Sequence, residues 1–299
     1  MNIFEVRGCN AGKNLRELLR GNRVIVAPGV FNPLSALLAK KHGFKAIYLS
    51  GAALTASYGL PDLGLITLDE MLYMVRKIHS VVDTPLIVDV DVGYGEILNV
   101  ARTVKEMEEA GAAAIQIEDQ EMPKKCGHLS SKKLIPAEEM VHKIRAAISV
   151  RKNLLIIART DARGVVGMEE AIKRAKMYVD AGADIIFPEA LLSEDEFRKF
   201  RDEIEVPLLA NMTEFGKTPY ITVKEFEEMG YNIVIFPVTS LRMAANAIED
   251  TYRELSKRGT QRNILDRMMT REELYRLISY KKYEEFDRFI ETGEKPEWK

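Results

Sequence analysis

The stretch that decides the fold is residues 111–119, GAAAIQIED, because the same arrangement occurs at three other places in the chain. Each copy has a glycine where a helix is expected to end, then a short lead-in, then an apolar run typical of a buried strand. The other copies are GFKAIYLS at residues 43–50, GADIIFPEA at 182–190 and GYNIVIFP at 230–237. The pattern predicts four equivalent connections from helix to strand.

Four further apolar runs alternate with these and have less regular lead-ins. They are VIVAPG from Val24, LIVDVDVG from Leu86, LIIARTD from Leu155 and LLANMT from Leu208. Helical patterns lie between successive runs, several with Thr or Ser three residues before Glu, the spacing of a capping box. Eight alternating strands, each followed by a helix, predict an α/β fold of the (β/α)8 barrel type. The rival is a doubly wound open sheet, which usually carries a GxGxxG-like turn after its first strand; none is present.

Chain length and the C-terminal region set the domain organisation. The 299 residues suit two domains of about 150 residues, or one barrel of about 250 residues with additions. We predict one domain over residues 1–299, with the barrel over about 22–258 and a helical extension over about 259–299. The extension presents a row of aromatic and aliphatic side chains, which could pack on the outer wall of the barrel or on a neighbouring subunit.

Composition excludes several classes of protein. The formal net charge is −2, so the chain has no global positive field for nucleic acid or for an anionic membrane. The two cysteines, Cys9 and Cys126, are far apart and predict neither a disulfide framework nor a zinc site. No apolar run is long enough for a signal peptide or a membrane span. We expect a cytoplasmic protein.

Polar or ionisable groups follow seven of the eight predicted strands, at the end where barrel enzymes form their active sites. So many carboxylates and arginines would be costly to gather there unless they bound something charged. The groups are Ser50 and Gly51, Asp89 and Asp91, Glu118 and Asp119, Arg159 and Asp161, Glu189, Asn211 and Thr213, and Ser240 and Arg242.

Asp89 and Asp91 are two residues apart on one strand, so their side chains lie on the same face. Two carboxylates so placed favour a hard divalent cation with water at its other positions, which is the coordination that Mg2+ prefers. Asp62, in a loop rich in glycine and proline, and Glu118 could orient those waters. Two alternatives stay open: an ion pair with Arg159, or a carboxylate pair for general acid and base catalysis.

Arginines at the same mouth predict an anionic substrate. Arg159 and Arg242 could each clamp a carboxylate in a bidentate manner, with Arg271 as a third such group. Beside a metal, they point to a polycarboxylate or a phosphorylated compound.

The loop after strand four, DQEMPKKCGHLSSKKLIP at residues 119–136, carries four lysines and a lone cysteine. Lysines and an imidazolium at His128 would lower the pKa of the Cys126 thiol, and Gly127 would let the loop fold inward. Such a loop could be a mobile lid that delivers Cys126 as acid, base or nucleophile. The composition also fits a solvated, charged loop.

Nearly the whole chain resembles the isocitrate lyase and phosphoenolpyruvate mutase superfamily, and within it the 2-methylisocitrate lyases. KKCGH at residues 124–128 is similar to the carbon–carbon lyases, because the mutases lack this cysteine, and ANMTEFG at 210–216 is similar to the methylisocitrate lyases. The other matching motifs are YLSGAA from Tyr48, GLPDLGLITLDE from Gly59, VDVDVGYG from Val88, IEDQ from Ile117, IARTDA from Ile157, FPEA from Phe187 and GTQRNILDRMMTREELY from Gly259.

The resemblance implies a role for each matching residue. Asp89 and Asp91 would hold Mg2+, with Mn2+ as the alternative, and Cys126 would be the catalytic acid. The pyruvate portion of the substrate would bind to Ser50, Gly51 and Ala52, where some relatives have glycine in place of Ala52. The rest of the substrate site would comprise Cys126, Gly127, Arg159, Glu189, Asn211, Met212, Thr213, Arg242 and Arg271.

The activity that the resemblance implies is cleavage of 2-methylisocitrate to pyruvate and succinate in propionate catabolism. Tyr48 and a metal-bound water are the candidates for the base. Alternatives are 2,3-dimethylmalate, oxaloacetate or isocitrate as substrate, chemistry on a phosphorus–carbon bond, or a barrel that binds a metabolite without catalysis. The resemblance also implies a homotetramer whose C-terminal helices exchange between subunits.

Overall fold

The structure, a computed structural model, describes residues 10–21, 23–128 and 131–295. All eight predicted strands are present, as β1 (Ile25–Val30), β2 (Ile47–Leu49), β3 (Leu86–Asp89), β4 (Ala114–Glu118), β5 (Leu155–Thr160), β6 (Ile185–Pro188), β7 (Leu209–Asn211) and β8 (Ile233–Phe236). Cys9 and the expected start of the barrel near residue 22 lie outside the described residues.

The strands form one parallel sheet that curls into a barrel. Neighbours are paired in the order β6, β5, β4, β3, β2, β1, β8, β7, so the first strand lies between the second and the eighth. A parallel bridge between Ile186 and Leu208 joins the two ends of this order. The predicted (β/α)8 barrel is confirmed, and the open doubly wound sheet is excluded.

Helices follow the strands as the sequence predicts. They are α1 (Ala11–Leu19), α2 (Pro33–Lys41), α3 (Gly51–Ser57), α4 (Leu68–Val81), α5 (Ile97–Ala110), α6 (Ala137–Val150), α7 (Met168–Asp180), α8 (Glu194–Glu203), α9 (Val223–Glu228), α10 (Thr239–Arg258), α11 (Arg271–Leu277) and α12 (Tyr280–Thr292). None of them is long and apolar enough to cross a membrane.

Local signals at helix ends explain the regular connections. Gly111 ends α5 with φ 101°, a left-handed conformation that glycine adopts without strain. Thr67 and Glu70 form the predicted capping box of α4. Ser193 caps α8, but Glu196 turns away to bind the Arg163 guanidinium and the N–H of Leu192, so only half of that predicted box forms.

The core has two layers. Inward-facing residues of the strands fill the barrel, and a larger layer lies between the sheet and the surrounding helices. Leu15 of α1 is fully buried in the inner layer, and Gly12 packs so closely on the backbone of Asn153, just before β5, that a Cβ would collide with it. Helix α1 therefore covers the N-terminal end of the barrel and leaves the opposite end for the site.

The described residues divide into two compact units, 10–241 and 242–295. The first contains the barrel. The second contains α10 from Arg242 onward, together with α11 and α12, which contact each other. This division falls within α10, whereas the sequence placed the end of the barrel near residue 258.

Candidate active site

Two buried carboxylates mark the C-terminal end of β3. Asp89 and Asp91 are 6% and 9% exposed. Their oxygens converge beside Gly51, the first residue of α3, because a Cβ there would lie 3.2 Å from Asp89 Oδ2 and 3.3 Å from Asp91 Oδ1. The Gly51 N–H donates to Asp89 Oδ2 at 3.2 Å. A larger residue at this position would crowd the two carboxylates and the backbone N–H that binds Asp89.

Asp89 is oriented by a hydrogen-bond chain across the inside of the barrel. Tyr48 on β2 donates its hydroxyl proton to Gln116 Oε1, and Gln116 Nε2 donates to Asp89 Oδ1 at 3.2 Å. Burial, then the charge of Asp89, raises the pKa of Tyr48 well above its usual value. Tyr48 is therefore a neutral phenol at pH 7, which argues against its predicted role as the base.

Lys124, from the predicted lid, is the cation that faces the Asp pair. Its Nζ lies 2.7 Å from Asp91 Oδ1 and also binds Asp62. Burial raises the pKa of Asp91 to about 6 although Lys124 opposes the shift. The alternative of an ion pair between this Asp pair and Arg159 is wrong, because Arg159 binds Glu118 and Asp161, and Lys124 binds Asp91.

Arg159, on β5, is held between two acidic groups. It forms a bidentate pair with Asp161, with Nε 2.9 Å from Oδ2 and Nη2 3.1 Å from Oδ1. Its Nη1 lies 3.3 Å from Glu118 Oε2. Its guanidinium also stacks on the ring of Phe187, 5.2 Å from the centroid. These contacts hold the guanidinium plane in one orientation at the mouth of the barrel.

His128 joins the loop after β4 (residues 119–136, the β4 loop) to two other elements. Its Nε2 lies 3.1 Å from Glu189 Oε1, and its Nδ1 accepts a hydrogen bond from the Lys217 N–H at 2.9 Å. Because Nδ1 is an acceptor, the hydrogen-bond network assigns the ring proton to Nε2. Asn211 Nδ2 lies 3.3 Å from Glu189 Oε2. The loop of Cys126 is thus seated against β6 and the segment after β7.

The thiol of Cys126 is half-buried beside this network. Burial raises its pKa, and Glu189 adds to the shift, while the backbone hydrogen bond of His128 and the charge of Arg159 oppose it. The predicted lowering of this pKa is therefore wrong. The reason is that burial outweighs the groups that favour the thiolate, while Lys124 and Lys132 are paired with Asp91 and Asp161. A protonated thiol suits an acid better than a nucleophile.

The remaining predicted residues lie in three parts of the chain: the start of α3, the segment after β7, and the second unit. Ser50 caps α3 through the N–H of Ala53, and Ala52 is partly exposed beside it. The Met212 side chain lies in the core, where its sulfur accepts from the Ile221 N–H, so it offers no side-chain group to a substrate. Thr213 is partly exposed after β7. Arg242 and Arg271 belong to the second unit, and their roles stay predictions.

Sequence reasoning missed three groups that the structure brings to this end of the barrel. Gln116 orients Asp89, Lys124 binds Asp91, and Lys132 binds Asp161 at 2.6 Å. Gln116 could have been found as the amide between the apolar residues Ile115 and Ile117 of β4. The two lysines could not, because nothing in the composition of the loop distinguishes them from the partly exposed Lys125 and the exposed Lys133.

The residues at the end of β3 fit a divalent metal. Asp89 and Asp91 converge, and Oε1 of the nearby, fully buried Glu118 has no hydrogen-bond partner among the residues that the structure describes. No cluster of three or more acidic, His or Cys side chains suited to a metal occurs in the described ranges. Two carboxylates suffice for Mg2+, which keeps several waters and takes oxygens from its substrate.

Comparison with known proteins identifies relatives along nearly the whole chain. The family model described as phosphoenolpyruvate phosphomutase matches residues 15–256. A 2-methylisocitrate lyase of Aeropyrum pernix is 60% identical over 92% of this chain and 90% of its own. Among solved structures, a 2,3-dimethylmalate lyase has a TM-score of 0.89 at 38% identity, covering 96% of both chains. An oxaloacetate acetylhydrolase has a TM-score of 0.89 at 36% identity, covering 95% of this chain and 98% of its own.

Proposed function

The chain belongs to the phosphoenolpyruvate mutase and isocitrate lyase superfamily, on the branch of the 2-methylisocitrate lyases, and we propose that it cleaves 2-methylisocitrate to pyruvate and succinate. The observation that carries the proposal is the position of Cys126, half-buried in a loop packed against Glu189 and Arg159, where burial raises the pKa of its thiol. A carbon–carbon lyase of this kind needs an acid that is protonated at neutral pH beside groups that stabilise an anion.

A base takes the proton of the substrate's tertiary hydroxyl, and the oxygen's electron pair forms the carbonyl of pyruvate as the adjacent carbon–carbon bond breaks. The electron pair of that bond moves onto the succinate fragment. Cys126 then gives its proton to the resulting carbanion carbon, which completes succinate. Its raised pKa keeps that proton in place until the carbanion forms.

Arg159 supplies positive charge where the succinate fragment becomes anionic. The guanidinium is already oriented by Asp161 and by the ring of Phe187, so little reorganisation accompanies the reaction. Arg242 and Arg271 are proposed as the other carboxylate ligands. Ser50, Gly51 and Ala52, at the start of α3, would bind the pyruvate portion through hydroxyl and backbone groups.

Enzymes of this superfamily use a divalent metal, and we propose that here it is Mg2+ held by Asp89 and Asp91. When bound, the cation stabilises negative charge on substrate oxygens. Gln116 and the Gly51 N–H keep Asp89 in its orientation. Lys124, between Asp91 and Asp62, limits the repulsion among these carboxylates.

The alternative is a smaller substrate. The two solved structures above are enzymes named for 2,3-dimethylmalate and oxaloacetate, and both share this fold at lower sequence identity. Purified protein should be assayed with 2-methylisocitrate, isocitrate, 2,3-dimethylmalate and oxaloacetate. We expect the highest kcat/KM with 2-methylisocitrate, measured by release of pyruvate or, for isocitrate and oxaloacetate, of glyoxylate and oxalate. Faster turnover of any other substrate would replace the proposal.

We also propose a homotetramer in which C-terminal helices exchange between subunits. The second unit supports this by itself: the structure assigns no buried residue to α10, α11 or α12. Tyr275 and Tyr280 stack at 4.5 Å and are both more than a third exposed. Such an aromatic surface is typical of a subunit contact.

A further inference from the structure

Lys132 is a buried cation of the β4 loop for which the proposed reaction has no use. It lies six residues after Cys126, and its side chain is 2% exposed. Its Nζ is 2.6 Å from Asp161 Oδ1 and also donates a hydrogen bond to the carbonyl oxygen of Gly127. The lysine therefore links the carbonyl of Gly127, the residue after Cys126, to Asp161 at the end of β5.

Asp161 binds Lys132 and Arg159 together. Its Oδ1 accepts from both cations, and its Oδ2 accepts from Arg159 Nε. Burial favours the neutral acid, but the two cations outweigh it and hold the pKa of Asp161 at about 2. The carboxylate is thus ionised, and the lysine and the arginine are fixed relative to each other.

Gly127 is held on its other side as well. A Cβ at this position would lie 2.4 Å from Glu189 Cγ and 2.6 Å from Arg159 Nη2, so its α-carbon already abuts both groups. Its carbonyl is held by Lys132. Gly127 is therefore held by Glu189, Arg159 and Lys132, and this limits the movement of the adjacent Cys126.

We propose that Lys132 is the positioning residue for Cys126: by holding the Gly127 carbonyl against Asp161, it fixes the thiol at the depth and direction from which it delivers its proton. The proposal rests on the proposed function only for the acid role of Cys126. Lys132 contacts no group that is expected to move a proton.

The loop offers a matched control. Lys133 is the next residue, its side chain is 79% exposed, and its Nζ is 4.0 Å from Glu121. Lys132→Met and Lys133→Met remove the same charge from adjacent positions and keep most of the apolar stem. Lys132→Arg keeps a cation with several donors, so it tests whether a conservative replacement preserves the position of Cys126.

The experiment measures alkylation of Cys126 by iodoacetamide at fixed pH, followed by peptide mass spectrometry, together with kcat and KM. For Lys132→Met we expect alkylation at least about 5-fold faster than in the wild type. We also expect kcat at least about 10-fold lower and KM within about 3-fold, because binding groups stay while the acid is misplaced. Lys133→Met should match the wild type, and Lys132→Arg should lie within about 3-fold of it.

Wild-type alkylation and kcat in folded Lys132→Met would overturn the inference. So would a loss of kcat/KM that comes from KM alone, which would place Lys132 in substrate binding. If Lys132→Met does not fold, Lys132→Gln decides, because its shorter and neutral side chain loses the ion pair with Asp161. Wild-type alkylation and kcat in that variant would overturn the inference. Alkylation needs no substrate, so it tests Lys132 even if 2-methylisocitrate is not turned over.

Discussion

The α-carbon of Gly127 abuts Glu189 so closely that a Cβ on residue 127 would lie 2.4 Å from both Cγ and Oε1 of the glutamate. The side chain of Glu189 cannot shift easily to make room, because His128 and Asn211 bind its carboxylate. We therefore expect Gly127→Ala to push the loop outward and to lower kcat at least about 100-fold, since even a 1 Å misplacement can cost that much. Steady-state kinetics with the folded variant measures this.

Gly164 provides the control for that substitution. Its φ lies outside the left-handed region, and a Cβ there would meet its nearest atom, Lys132 Nζ, at an ordinary 3.6 Å. We expect Gly164→Ala to keep kcat within about 2-fold. If Gly127→Ala were equally active, the packing of the loop against β6 would have no part in catalysis.

Cys126 should act in its protonated form. Burial raises its pKa, so the acid is present throughout the neutral range and is lost only as pH rises through that raised pKa. We expect kcat to be level from pH 7 to the ordinary thiol range near 8.5 and to fall above it. The rate at which Cys126 is alkylated rises with pH as the thiolate forms. If kcat rose over the same pH range, the thiolate would be the active form.

Replacing the thiol tests the same role directly. A serine hydroxyl is a far weaker acid, so Cys126→Ser should lower kcat about 100- to 10,000-fold, the range for losing a general acid. Equilibrium binding of pyruvate in the presence of Mg2+ should persist, because the metal ligands are unchanged. Unchanged turnover in this variant would refute the acid role.

Metal binding should depend on Asp91 and be measurable without catalysis. A ligand that binds only the folded state raises the free energy of unfolding by an amount set by its concentration over Kd. We expect Mg2+ to raise the Tm of the wild type and of Asp83→Asn, an exposed carboxylate control, but not of Asp91→Asn. An equal rise in all three would show that the cation binds elsewhere.

The repeat of helix, glycine and strand was enough to predict the barrel, because it combines a backbone requirement with a buried apolar run. Gly111 with its φ of 101° meets that requirement as predicted. Polar strand ends also predicted Asp89, Asp91, Arg159 and Glu189 at one mouth, since parallel strands end at the same edge.

Pairing among the charges could not be predicted in the same way. The sequence places four lysines near Cys126 without saying which carboxylate each one meets. Lys124 pairs with Asp91 and Lys132 with Asp161, on strands that lie far away along the chain. Burial raises the pKa of the thiol, against the expected direction, and lysines that are paired with carboxylates do little to oppose that shift.

The C-terminal helices give the last prediction. Residues 270–295 contain α11 and α12, whose exposed large apolar side chains include Leu274, Tyr275, Tyr280, Tyr283 and Ile290. If these helices exchange between subunits, a chain ending at Met269 should lose its tetramer, which light scattering would detect as a smaller mass. The full-length Lys282→Ala variant, changed at an exposed position of α12, should keep the wild-type mass. An unchanged mass for the shortened chain would favour packing of these helices on the outer wall of their own barrel.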